Sequence, residues 1–206
     1  MNCGRRYSAR VGTSDEGPES GALLAGLPQS GNALGAPAAP VTLEYFGDLE
    51  CPFCRDFTLR TLPSIIRRWV RSGQLRIEYH ALETATSEPD VFIAQQVAAL
   101  AAGKQGKAWE FIETFYRDQG EEGSRYVTEA FLHGVASGVP GLDIARWTRD
   151  RTDPDLAAQI ADDEQAAASA GLKGTPSFLI GRTAGTMTRF DDQTSLDAAI
   201  EGLLGT

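Results

Sequence analysis

Two cysteines three residues apart, Cys51 and Cys54, stand directly after a short apolar run, and that junction constrains the chain more than any other feature. Val41-Thr42-Leu43-Glu44-Tyr45-Phe46 is a β-branched and aromatic stretch of the kind that makes a buried central strand, and Gly47-Asp48 stops it. From Pro52 the spacing changes. Leu59, Leu62, Ile65, Ile66, Trp69 and Val70 recur at three- and four-residue steps, as the buried face of a helix does. Pro63 within that pattern predicts a kink, and Gly73 predicts an end.

A strand that hands over to a helix at Cys51-Pro52-Phe53-Cys54 places the first thiol at a helix N-terminus. Its unpaired N–H groups and partial positive charge favour the thiolate, the form that attacks a disulfide. Pro52 occupies a first-turn position that needs no donor. Three residues of helix bring Cys54 back beside Cys51, close enough to close a small ring. Cys51 is thereby expected to be the nucleophile and Cys54 the resolving thiol. Two alternatives remain, a zinc site and an inert buried pair. Zinc would need two further ligands, and only Cys3, His80 and His133 are left, none forming a second paired motif.

Residues 1–34 are rich in Gly, Ser, Ala and Pro and are expected to form a flexible leader, with the Ala22-to-Leu27 patch packing onto the domain. Cys3 lies in this segment, and no lipobox precedes it. Leu75 to Ala81 alternates strictly and predicts a strand. Between residues 88 and 172 the strand signal vanishes. Amphipathic helices are expected from Phe92 to Gly103, Trp109 to Tyr116 and Thr128 to Ala136, and from the Asp153-Pro154 cap to Gly171. Ser177 to Ile180 and Met187 to Phe190 predict strands, and Thr194 with Asp197 predicts a capping box on a final helix. The expected organisation is α/β, residues 35–87 and 173–206 forming one domain with residues 88–172 inserted as an all-helical subdomain.

Composition narrows the partners. The formal net charge of −9 opposes binding to a phosphate backbone, so no nucleic acid is expected. No apolar stretch approaches the roughly 20 residues that span a bilayer. His80 and His133 are isolated and are expected to be structural or surface residues; Trp69, Trp109 and Trp147 fall at core spacings, and Asp162-Asp163-Glu164 suggests a solvated helix face.

The run Phe46-Gly47-Asp48-Leu49-Glu50-Cys51-Pro52-Phe53-Cys54 and, far downstream, Gly171-Leu172-Lys173-Gly174-Thr175-Pro176-Ser177-Phe178 together resemble the DsbA-like thiol:disulfide oxidoreductases of bacterial cell envelopes. The resemblance covers about residues 35 to 205. It implies a thioredoxin-like fold with a helical insertion and a cis bond at Thr175-Pro176, which faces the cysteine pair and leaves backbone groups free to bind an extended substrate chain. It implies no cofactor beyond a redox-active Cys51-Cys54 disulfide. The implied partners are unfolded or extended cysteine-containing proteins and a membrane protein that re-oxidises the pair. A monomer is expected, on the extracytoplasmic side of a bacterial envelope, periplasmic or anchored, with any signal or anchor outside the given sequence. Dithiol oxidation is the expected direction; a reductase or isomerase of the same fold and a redox-inactive peptide-binding module are the alternatives.

Two departures from the family pattern bear on mechanism. Many relatives carry a buried carboxylate six residues before the first cysteine, where this chain has Tyr45; Glu44 is one residue away and should point to the opposite side of its strand. Phe53 stands where the best-known oxidases have a thiolate-stabilising histidine, and Asp48 and Glu50 bring negative charge close. Cys51 is therefore expected to have a pKa lowered by the helix terminus but held above that of a strongly oxidising relative.

Overall fold

The structure is a computed structural model that describes residues 19–205; Cys3 and the rest of the expected leader up to residue 18 lie outside the described residues. The leader boundary needs correction. Glu19–Leu24 forms a helix, α1, and the two-residue strands β1 (Gln29–Ser30) and β2 (Ala33–Leu34) form a hairpin that joins the main sheet. Leu34 is wholly buried, and Leu24 nearly so, which accounts for the apolar patch in an otherwise small and polar stretch.

The sheet has six strands in the order β1-β2-β4-β3-β5-β6, with β3 Val41–Gly47, β4 Leu75–Ala81, β5 Ser177–Arg182 and β6 Thr188–Phe190. Central β3 runs parallel to β4, from Val41↔Leu75 to Gly47↔Ala81, and antiparallel to β5, from Val41↔Arg182 to Phe46↔Ser177. Both its faces are covered, so its side chains are buried on the two sides alike, Glu44 alone being half-exposed. This register decides where the chemistry lies. The end of β3 that leads to Cys51 is paired with the start of β5, immediately after Pro176.

The helix predicted from Pro52 runs to Val70, as α-helical turns α2 (Pro52–Asp56) and α3 (Leu62–Ile65) alternating with π turns over Phe57–Thr61 and Ile66–Val70. The disturbance expected at Pro63 takes this form: the Leu62 N–H donates to Phe57 O, five residues back. Between β4 and β5 come five helices, α4 (Pro89–Gly103), α5 (Ala108–Arg117), α6 (Glu129–Gly138), α7 (Ile144–Asp150) and α8 (Pro154–Ser169). Asp153 caps α8 through Asp155 N, and Thr128 caps α6 through Phe131 N. Short α7 has no counterpart among the expected helices.

At the C-terminus the capping box does not form. Asp192 takes the Thr194 N–H instead and caps a 3₁₀ turn ahead of α9 (Leu196–Leu204), while Asp197 accepts from Trp69 Nε1 at 2.5 Å and ties α9 to the Pro52 helix. Trp69, Trp109 and Trp147 are buried, and each indole N–H has an acceptor.

Candidate active site

Cys51 caps α2 with an extended backbone (φ −72°, ψ 121°), Pro52 follows in the first turn, and Cys51 N donates to Asp48 O at 3.0 Å. Both thiols are free. Gln119, just past α5, holds this turn from the helical insertion by donating to Leu49 O at 2.8 Å and Cys51 O at 3.2 Å.

The two sulfurs have opposite electrostatics. A hydrogen bond from Cys54 leads the effects that lower the Cys51 pKa to about 6; the Thr175 hydroxyl and the N–H groups of Cys54 and Phe53 add to it, against a cost of burial. Burial, and then Cys51 itself, pushes Cys54 well above its ordinary value. The Cys54 thiol gives more of the lowering than the helix terminus, which contributes its part through the N–H groups of Cys54 and Phe53. Phe53 supplies its backbone N–H to Cys51, and the residue, next in sequence but one, is 69% exposed.

Cys51 Sγ lies 3.3 Å from Thr175 O. The Thr175-Pro176 bond is cis. Thr175 is held from the side by Thr84, hydroxyl to hydroxyl at 2.5 Å, and Ser177 Oγ braces the loop on Gly174 O at 2.6 Å. Thr84 belongs to a loop that no sequence signal marked, and its organiser is Asp48. The fully buried Asp48 carboxylate accepts from the backbone N–H groups of Glu50, Thr84, Ala85 and Thr86 at 2.8–3.0 Å and from Thr86 Oγ1 at 2.7 Å. Asp48 is thus the hub that fixes the cysteine turn relative to the Thr175 loop, not a charge left loose beside Cys51. The largest influences on the Cys51 thiol are hydrogen bonds and burial, so the opposition expected from Asp48 and Glu50 is not among them.

Glu50 is buried, and its carboxyl is pushed up to about 7 by that burial and then by Asp48, Glu88 and Glu122. Tyr45 occupies the ground beneath Cys54. Its hydroxyl is 3.4 Å from Cys54 O, 3.2 Å from Thr58 Oγ1 and 3.5 Å from the Tyr116 hydroxyl. Glu44, as strand alternation requires, faces the other side, among His80, Glu78 and Asp163.

That other side corrects one expectation. Asp163 and Glu164 are not a solvated face: Asp163 accepts from the Ala81 N–H at 2.9 Å and bonds His80 Nδ1 at 2.7 Å, and Glu164 accepts from the Glu83 N–H at 2.6 Å. They clamp α8 to the end of β4, just ahead of the Thr84 loop. His80 is structural, as expected, and His133 is exposed, next to Ser137. Among the described residues no group of His, Cys, Asp and Glu is arranged to hold a metal ion, and no helix is long and apolar enough to cross a membrane.

A central β3 that delivers a thiol pair to a helix N-terminus opposite the proline loop of an antiparallel neighbour is the layout of a thioredoxin. A family model described as thioredoxin matches residues 29–201, and the chain belongs to that family. Within it, the chain is similar to the probable disulfide bond formation protein D of Bacillus cereus, at 25% identity over 151 residues, 72% of this chain and 68% of that protein. The same fold recurs in the oxidised crystal structure of BdbD from Bacillus subtilis, with TM-score 0.73, 19% identity and coverage of 85% of this chain and 93% of that one. Pseudomonas aeruginosa DsbA2 matches at TM-score 0.62 and 25% identity over 86% and 96% of the two chains. These relatives are thiol-disulfide oxidoreductases of the DsbA type, and the helical insertion between β4 and β5 agrees with that membership.

Proposed function

We propose that this protein disulfide oxidoreductase works as a dithiol oxidase, passing its Cys51-Cys54 disulfide to cysteine-containing protein chains. The observation that carries this reading is the asymmetry of the pair: Cys51 at the helix terminus with a pKa near 6, Cys54 deeply buried with a raised one. A substrate thiolate attacks Cys51 Sγ, a substrate–Cys51 bond forms, and the Cys51–Cys54 bond breaks with its electron pair going to Cys54. A second substrate thiolate then attacks the substrate sulfur of the mixed disulfide. Cys51 leaves as a thiolate, which its low pKa makes a good leaving group.

Thr175, Pro176 and the exposed Phe53 ring supply the docking edge: the substrate chain lies extended along the Thr175 loop, and Phe53 offers it an apolar contact beside the thiol. The disulfide is the only redox group in the scheme, so a membrane redox protein of the envelope must accept the two electrons and restore it. The reading places the protein as a monomer on the extracytoplasmic side of the envelope, where protein disulfides persist.

Cys51→Ser tests it. The variant should fold and lose all disulfide exchange with a dithiol peptide, while oxidised wild type should convert that peptide to its disulfide in stoichiometric amount. Peptide that binds equally well to both proteins and is never oxidised by either would instead make this a redox-inactive binding module.

A further inference from the structure

Beneath the dithiol, β3 and β4 and helix α5 bring three phenols, Tyr45, Tyr79 and Tyr116, into a space closed to solvent, each 2% exposed or less. Burial drives the Tyr45 pKa far above its ordinary value, so at neutral pH the group neither gives up its proton nor accepts another. It is a fixed neutral donor. Its hydroxyl has several neighbours for one proton: the carbonyl of Cys54, Thr58 Oγ1 and the Tyr116 oxygen, with the Cys54 sulfur also in reach and favoured by it in the charged form. The Tyr116 proton is committed elsewhere, to Asp48 O at 3.2 Å, which leaves the Tyr116 oxygen able to accept.

We infer that Tyr45 is a catalytic residue, whose hydroxyl turns its hydrogen bond onto the Cys54 sulfur as that sulfur leaves Cys51. While the disulfide is closed, the phenol proton rests on the Cys54 carbonyl or on Tyr116. When the substrate thiolate attacks Cys51, the electron pair of the breaking bond comes to Cys54, where two donors favour the charged sulfur: the backbone N–H of Asp48, fixed in the cysteine turn, and the Tyr45 phenol, the one side-chain hydroxyl among them. Cys54 ends as a thiol, its proton balancing the one the substrate thiol released on ionising. Tyr45 keeps its own proton throughout. This inference rests on the disulfide-exchange reading above.

Tyr45→Phe isolates the hydroxyl, because the ring keeps its edge contacts with Phe57 at 5.0 Å and Tyr79 at 5.3 Å and its stack on Phe178 at 5.5 Å. Oxidised variant and wild type are mixed with reduced glutathione in stopped flow, and each pair is titrated in glutathione buffers. Cleavage should be about tenfold slower, with the equilibrium potential of the pair unchanged because Cys54 ends as a neutral thiol in both proteins, and with the Cys51 thiolate still titrating near 6. A second variant carries 3-fluorotyrosine at position 45, a more acidic phenol and stronger donor, and should be faster than wild type; a packing role predicts no gain in rate. Tyr45→Phe at the wild-type rate, or a fluorotyrosine variant no faster than wild type, overturns the inference and leaves the oxidoreductase reading in place. Wild type that exchanges nothing with glutathione removes both.

Discussion

Cys51 and Cys54 are the same residue in two environments, and the difference is made by their immediate neighbours. The Cys54 thiol, the Thr175 hydroxyl and N–H groups of the first helical turn converge on Cys51, whereas Cys54 sits in the core above Tyr45. Asp48 does the positioning. Asp48→Ala would leave four backbone N–H groups and the Thr86 hydroxyl without their acceptor, a loss on the order of 3 kcal/mol that chemical denaturation should read, with slower peptide oxidation in the folded fraction. Glu50 makes a pH-dependent prediction. Its folded pKa near 7 lies above its ordinary 4.5, so the native state is favoured by protonation: its stability is fully present below about pH 4.5 and is lost as pH rises through 7. Glu50→Gln should therefore raise the thermal midpoint at pH 8 and change it little at pH 4.5. The cysteine pair and Pro52 were readable from local spacing because a motif keeps its neighbours in sequence, whereas Pro176 was found only through the resemblance to the DsbA-like family. Asp48 was visible only as a nearby charge, since its partners lie 36–38 residues downstream and are mostly backbone N–H groups, which carry no residue signature.

The strands and helices explain what the sequence showed and what it hid. β3 was legible as a β-branched and aromatic run, and β4 as a strict alternation of apolar and polar residues, each seven residues long. β1 and β2, two residues each, are too short for any period, and the one usable signal was the Gly31-Asn32 turn between them, with Gly31 at φ 58° and Asn32 Nδ2 bonded to Tyr79 O at 2.8 Å. α8 was read correctly as a helix, but its acids were assigned to solvent, because the His80 that meets Asp163 comes from β4, 83 residues earlier. That pair supplies the prediction at this scale. Burial opposes a charge on His80, but bonds to Asp163 and Glu78 override it and raise the pKa from 6.5 to about 9. A raised folded pKa gives stability that is full below pH 6.5 and disappears as pH rises through 9. His80→Gln should be destabilised by about 1–2 kcal/mol at pH 6 and approach wild type at pH 10, as followed by urea denaturation across that range.

At the scale of the whole molecule, the sheet order places the cysteine turn and the Thr175 loop on neighbouring strand ends, and the helical insertion reaches back through Gln119 to the cysteine turn and through α8 to the end of β4, ahead of the Thr84 loop. The direction of the chemistry follows from how much this framework stabilises the Cys51 thiolate relative to the disulfide. A Cys51 pKa near 6 lies between those of thioredoxin, about 7, and DsbA, about 3.5. The measurement that tests the account most directly is the reduction potential of the Cys51-Cys54 pair, from equilibration in glutathione buffers. The account predicts a value between those of thioredoxin, about −270 mV, and DsbA, about −120 mV. A value at or below that of thioredoxin would make the pair a reductant and contradict it.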